Sequence, residues 1–186
     1  NMQSVCYSIS VFISIVNVNI DDTDYIYSFS TYTDSSYMYK IGIDNTKTAI
    51  TLTPNDDDVD NEIPGYLLYY SMVSISSNIY IFGGQYYTGQ TYYSSNIYKI
   101  DKDGNTQKIA LIPNDANVIP PKMDHSMVAI NSNIYIFGGS RTNDTASTDD
   151  FYKIDTTTFV STKIELQPID GDDSNKPFAR SKHSMT

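Results

Sequence analysis

The sequence predicts an all-β fold of repeated four-stranded antiparallel sheets, and three observations carry that expectation. The composition favours strands, with 17 Tyr and many Ile, Val, Ser and Thr, and little of the Ala, Leu and Glu that favour helix. A block of sequence recurs at a spacing of 55 residues, and within it an uninterrupted apolar run ends in two glycines. At 186 residues the chain is long enough to bury a core, because a domain of that size removes about 70% of its unfolded surface from water.

The repeat is read directly. Ser71-Met72-Val73 recurs as Ser126-Met127-Val128, and Asn78-Ile79-Tyr80-Ile81-Phe82-Gly83-Gly84 recurs as Asn133-Ile134-Tyr135-Ile136-Phe137-Gly138-Gly139. Later in each unit come Asn96-Ile97-Tyr98-Lys99-Ile100-Asp101 and Asp150-Phe151-Tyr152-Lys153-Ile154-Asp155, then Lys108-Ile109-Ala110-Leu111 and Lys163-Ile164-Glu165-Leu166. Each unit therefore holds four short apolar segments. An eroded copy precedes them: Asp24-Tyr25-Ile26-Tyr27 meets Ser28-Phe29 where the others carry glycines, Tyr37-Met38-Tyr39-Lys40-Ile41 matches the third segment and Ala49-Ile50-Thr51-Leu52 the fourth. Its inner segment is read as Ser14 to Val18, with a two-residue insertion. At the far end Arg180-Ser181-Lys182-His183-Ser184-Met185 repeats the approach to Asp124-His125-Ser126-Met127, as though a further unit begins.

A fixed period of this size, with four strands per period, predicts sheets stacked or arranged around an axis as in a propeller. A sheet with two apolar faces cannot cover both alone, so neighbouring sheets pack face to face. The continuous run Ile134-Tyr135-Ile136-Phe137 fits a strand buried on both sides, where alternation would mark one wet face. Gly83, Gly84, Gly138 and Gly139 then mark a place where positive φ or a close backbone approach is required. They are not phosphate-binding loops, since no basic residue or helix start follows at the necessary spacing.

These motifs together, His-Ser before the inner strand, a hydrophobic strand ending in Gly-Gly, a polar loop and an aromatic third strand, resemble kelch repeats over about residues 14–186. The resemblance divides the chain into an N-terminal strand or remnant of a preceding blade (1–13), a degenerate repeat (14–56), two clear repeats (69–113 and 124–168) and the start of another (179–186). Two departures stand out: Ser28-Phe29 replaces the first glycine pair, and the tryptophan expected after the third strand is absent, with Phe159 standing near that place in the last unit. The fold implied is a kelch-type β-propeller fragment, because a closed ring takes roughly four to eight blades. Self-association or missing blades would close it.

The function expected is that of a protein-protein interaction module, an adaptor or scaffold. In a propeller the loop after the glycine pair and the loop leading into the next inner strand emerge on one face, where rigid sheets hold variable loops. The candidate binding residues there are Tyr86, Tyr87, Tyr92, Tyr93, Arg141 and Arg180, side chains that offer large contact area or forked donors. His125 and His183 occupy equivalent positions, with Tyr70 as the third member, which argues for a structural role, such as a hydrogen bond that fixes the start of the inner strand. Lys122 stands in for Arg180 one unit earlier. The alternative is a fragment of a kelch-like propeller enzyme, oxidase-like or carbohydrate-modifying, with its catalytic residues elsewhere. This segment lacks the Cys, Tyr and His set of the copper type and the acidic and His triplet of the iron type, and it shows no nucleophile turn.

Other chemistries are disfavoured. Cys6, the single cysteine, excludes an internal disulfide, and no Cys/His cluster offers zinc ligands. The acidic runs Asp56-Asp57-Asp58-Val59-Asp60 and Asp170-Gly171-Asp172-Asp173 read as solvated loops and lack the alternating ligand spacing of a calcium loop. No cofactor is expected. A net charge of −10 repels phosphate backbones and anionic lipid, so neither nucleic acid nor membrane is an expected partner. The longest apolar candidate, Val11 to Ile20, is broken by Ser14, Asn17 and Asn19, and no signal-peptide pattern opens the chain. A cytoplasmic location follows as an expectation, with the Asn143-Asp144-Thr145 sequon the single pointer to an extracellular one.

Overall fold

The computed structural model of the chain describes residues 14–30, 37–55, 63–114, 117–142, 146–168 and 176–185. Segment 1–13 with Cys6, the acidic runs at 56–60 and 170–173, and the sequon at 143–145 lie outside the described residues. What is described is all-β. Strands β1 (Ser14–Ile20), β2 (Thr23–Ser30), β3 (Tyr37–Ile41) and β4 (Lys47–Thr51) form one antiparallel sheet in sequence order. The short β5 (Thr53–Pro54) then leaves that sheet for the next one.

The second sheet consists of β6 (Ser71–Ile75), β7 (Asn78–Phe82), β10 (Ile97–Ile100) and β11 (Asn105–Ile109), with a hairpin of β8 (Gln85–Tyr87) and β9 (Thr91–Tyr93) between its second and third strands. After β12 (Ile112–Pro113) the third sheet repeats the plan with β13 (Ser126–Ile130), β14 (Asn133–Phe137), β15 (Phe151–Asp155) and β16 (Val160–Lys163). The inner strands lie side by side, β1 against β6 and β6 against β13. These are three successive blades of a β-propeller.

The core is the two seams between blades. At the first, Val18, Tyr27, Phe29 and Met38 pack on Ile79, Ile81, Tyr98 and Ile100; at the second, Val73, Tyr80, Phe82 and Ile97 pack on Met127, Ile134, Ile136, Tyr152 and Ile154. Alternate residues of β7 thus serve opposite seams, which is why Ile79, Tyr80, Ile81 and Phe82 are all buried and why the run shows no polar alternation.

Two details depart from the sequence reading. The first unit carries no insertion: Val18 pairs with Tyr25 as Val73 pairs with Tyr80 and Val128 with Tyr135, across two-residue turns of equal length. Asp21, Ser76 and Asn131 open those turns with positive φ. The outer strands lie earlier than Lys108–Leu111 and Lys163–Leu166, at Asn105–Ile109 and Val160–Lys163. The reason is the tight return after β10, where the Asp101 carboxylate accepts the amides of Asp103 and Asn105 and reverses the chain at once. The apolar residues beyond belong elsewhere, since β5 adds in parallel to β11 and β12 to β16. Each unit therefore lends an extra edge strand to the blade that follows.

The glycine pairs form the backbone seam. Gly84 N–H donates to the Lys122 carbonyl at 2.7 Å, and Gly139 N–H to the Arg180 carbonyl at 2.8 Å. Gly138 and Gly139 have φ of +69° and +78°, and a Cβ on Gly138 would stand 2.5 Å from the Arg180 carbonyl oxygen and 2.8 Å from His183 Cε1. In the first blade β2 runs on through Ser28-Phe29, and Phe29 fills the seam edge-on to Tyr70 at 5.4 Å. Tyr70 Oη donates to the Phe29 carbonyl at 3.0 Å.

The structural role of His125 and His183 takes the form of packing and not of a hydrogen bond, as none of their ring nitrogens has a partner among the described residues. They pack instead, edge-on to Phe82 at 5.4 Å and Phe137 at 5.5 Å, a contact open to them because the neighbouring glycine has no side chain. Burial first, then the charge of Lys122, lowers the His125 pKa to about 3. Burial also lowers that of His183.

Two expectations follow. Gly138→Ala combines a left-handed φ with a backbone collision and should cost about 2 to 4 kcal/mol, read from the denaturant midpoint. Because folded His125 resists a proton that the unfolded chain accepts below pH 6.5, stability is lost as pH falls from 6.5 toward about 3. Between pH 7 and pH 5 the His125 share of the loss should be about 2 kcal/mol, so His125→Gln should lose less by about that amount and keep only the share of His183. Asp101, Asp150 and Asp155, whose pKa values are lowered from 3.8, withdraw their contributions only at more acidic pH.

Candidate functional site

One end of the blades gathers the loops. The segment leading into each inner strand bridges to the residue after the glycine pair of its own blade, Leu68 to Gln85 and Met123 to Ser140. It also bonds back to the preceding blade, with Lys122 N–H donating to the Ser94 carbonyl and Arg180 N–H to the Thr148 carbonyl. The two sets of loops therefore share one face and are held by backbone bonds on both sides.

On the second blade this face carries the β8–β9 hairpin. Its strands pair Gln85 with Tyr93, Tyr86 with Tyr92 and Tyr87 with Thr91. Tyr86 and Tyr92 stack with ring centroids 5.4 Å apart, and Tyr86 also packs on the first seam. That contact roots the hairpin in the core. Tyr87 and Tyr92 are exposed and Tyr93 is half-buried. Between the hairpin and the lead-in segment lies a groove of about 340 Å³ lined by Tyr66, Leu68, Gln85, Tyr86, Tyr87 and Thr91. Its lining bears no formal charge, and the buried Gln85 Oε1 has no hydrogen-bond partner among the described residues. Such a surface offers aromatic area and amide hydrogen bonding, and its lining holds tyrosines, a glutamine, a leucine and a threonine.

The remaining sequence candidates lie apart from the groove. Arg141 is exposed and stands 3.6 Å from Asp150. Arg180 is exposed, with its guanidinium 5.8 Å from the Phe137 ring and Nε donating to the Phe178 carbonyl. Tyr66 was not singled out in the sequence, although Pro64-Gly65 marks the turn that presents it at a φ of +56°.

Lys122 does stand where Arg180 does, as the matching carbonyl bonds to Gly84 and Gly139 show, but its side chain behaves differently. It is wholly buried, and Nζ donates to the Gly138 carbonyl at 2.9 Å, to Thr148 Oγ1 at 3.0 Å and to Asp150 Oδ2 at 3.4 Å. Its carbonyl holds the second blade's glycine while its ammonium holds the third's. Burial lowers the Lys122 pKa, opposed by Asp150; burial alone would raise the Asp150 carboxyl, but Lys122 and Lys163 hold it below the usual range. Among the described residues no group of three or more His, Cys, Asp or Glu is placed to hold a metal, and no helix is long and apolar enough to cross a membrane.

Removing one member of the buried pair strands the other. Asp150→Asn should therefore cost about 3 kcal/mol in urea unfolding, and Lys122→Met with Asp150→Asn should cost clearly less than the sum of the two, with a coupling of about 1 to 3 kcal/mol.

Among curated proteins no relative matches the chain. The family model described as the KLHDC2/KLHL20/DRC7 Kelch-repeats domain matches residues 22–186. Kelch-repeat domains serve in general as protein-interaction modules. With three blades, two of them carrying Gly-Gly pairs, and a family match that spans nearly all of them, the chain belongs to the kelch-repeat family.

Proposed function

We propose that this chain is a protein-binding module, an adaptor or scaffold that captures a protein partner on the loop face. The observation that carries the reading is the uncharged groove beside the β8–β9 hairpin, where exposed Tyr87 and Tyr92 stand on a hairpin anchored through Tyr86. Aromatic side chains with few rotatable bonds, held on a rigid support, supply contact area at small entropic cost. The net charge of −10 makes a neutral or basic protein segment the favoured partner over nucleic acid or anionic lipid. Non-enzymatic action belongs to the same proposal, supported by the family's usual role.

The test is affinity capture from cell extract with the immobilised chain, followed by titration of the recovered partner. Tyr87→Ala with Tyr92→Ala should weaken binding by at least about tenfold without moving the melting midpoint. Thr157→Ala, in the turn at the opposite end of the third blade, should leave binding unchanged. Equal affinity of the tyrosine variant and the parent chain would reject the face as the binding site.

A further inference from the structure

Tyrosine rings in this chain are met by cations where the sequence supplies them. On the first blade Lys40 Nζ stands 3.6 Å from the centroid of the Tyr25 ring, and Lys47 Nζ 3.7 Å from that of Tyr39. In each pair the electron-rich ring face attracts the ammonium. The second blade is different. From Thr48 to Tyr98 the chain holds no Lys or Arg, and the same stretch carries Asp56, Asp57, Asp58, Asp60 and Glu62. Among the described residues no cation stands over the ring of Tyr86 or Tyr87.

These rings line the groove beside the β8–β9 hairpin together with a hydrogen-bond acceptor. Ile63 and Leu67, both 1% exposed, anchor the segment that carries Tyr66. Leu68 N–H donates to the Gln85 carbonyl and Gln85 N–H to the Leu68 carbonyl, each at 2.8 Å, so the two walls are tied to one another. Tyr66, Tyr86 and Tyr87 contribute their rings to the lining, and Gln85 contributes an amide whose Oε1 is buried without a partner among the described residues. A buried acceptor that lacks a donor is costly, and a ligand that brings a donor in removes that cost. A hydroxyl or a neutral amide would serve the acceptor alone. A guanidinium serves the acceptor and the rings together: it is planar, stacks on aromatic faces, carries five N–H donors and is more weakly hydrated than an ammonium.

Resting on the loop-face reading above, we infer that this groove receives one arginine side chain of a basic protein segment, its guanidinium packed on the tyrosine rings and donating to Gln85 Oε1. Charge complementarity selects this occupant. The stretch that builds both walls of the groove carries five carboxylates and no cation, within a chain of net charge −10, so a positive side chain is drawn in and meets no internal competitor from that stretch. The groove lining itself bears no carboxylate, which leaves the ring faces and the amide oxygen to choose a guanidinium over an ammonium.

The test titrates the full chain, with isotope-labelled tyrosine rings followed by NMR, against the amides of Nα-acetyl-arginine, Nα-acetyl-lysine and Nα-acetyl-leucine. The arginine compound should give saturable shifts at Tyr86 and Tyr87, with an affinity at least about threefold above that of the other two. Thr91 is an exposed member of the lining, so Thr91→Lys should weaken arginine binding and Thr91→Glu strengthen it, each by about threefold, whereas Thr157→Lys adds the same charge at the far end of the third blade and should change nothing. Gln85→Leu should weaken it at least about fivefold; if that variant lowers the melting midpoint, the Thr91 pair decides. Equal affinity for the leucine or lysine compound, or equal effects of Thr91→Lys and Thr157→Lys, overturns the inference. If the arginine compound fails to bind while Tyr87→Ala with Tyr92→Ala still weakens the captured partner, this inference falls and the loop-face reading stands.

Discussion

The hydrogen bond from the second glycine of a pair to the carbonyl that leads into the following blade sets the spacing on which the rest of the structure depends. Gly84 to Lys122 fixes how far the second sheet stands from the third, and Gly139 to Arg180 repeats the bond at the next lead-in segment. That distance decides which side chains meet across the seam. A Cβ at the first glycine of either pair would collide with the same lead-in backbone, so the sequence constraint and the packing constraint are one. The first blade reaches a similar end without glycine, by letting Phe29 and Tyr70 occupy the space and supplying the bond from a phenol.

Around this seam the polar groups are used sparingly. Lys122 is held by two neutral oxygens and one carboxylate, and that carboxylate in turn is shared with Lys163 and Arg141. Burying an ammonium in this way contributes little net stability but penalises any other arrangement of the two blades. The histidines are a different case: aromatic plates whose nitrogens have no partner among the described residues, tolerated because the neutral ring loses less on burial than a charged one.

The fold was legible because the seams impose the same demands at each repeat, and identical demands leave identical residues: an apolar strand, two glycines, a histidine. The outer strands were less so. Asn105-Thr106-Gln107 and Ser161-Thr162 sit in the outer strands, where Gln107 is exposed and the buried positions are filled by the small polar Thr106 and Ser161, so hydrophobicity carries no signal. The apolar pair beyond each outer strand misled for the same reason, since Ile112-Pro113 serves a neighbouring sheet. Of the site, the tyrosines of the hairpin were visible as residue types, but their stacking, and the arrival of Tyr66 from a loop some twenty residues upstream, depend on a bridge between Leu68 and Gln85 that no local pattern encodes. Arg141 and Arg180 looked alike in sequence and differ in space, one beside a carboxylate and the other over an aromatic ring.

The loan of an edge strand from each unit to the next bears on how such a chain is made. Because β5 and β12 precede the blades they complete, a sheet emerging from a ribosome finds its outermost strand already synthesised, and it need not await residues still in the exit tunnel. The glycine seam works in the other sense: Gly84 and Gly139 meet their acceptors only after some forty further residues have appeared. A blade whose own four strands have emerged therefore has its extra edge strand at hand while its inner seam is still open, and offers that unsealed flank to chaperones or to the blade about to follow.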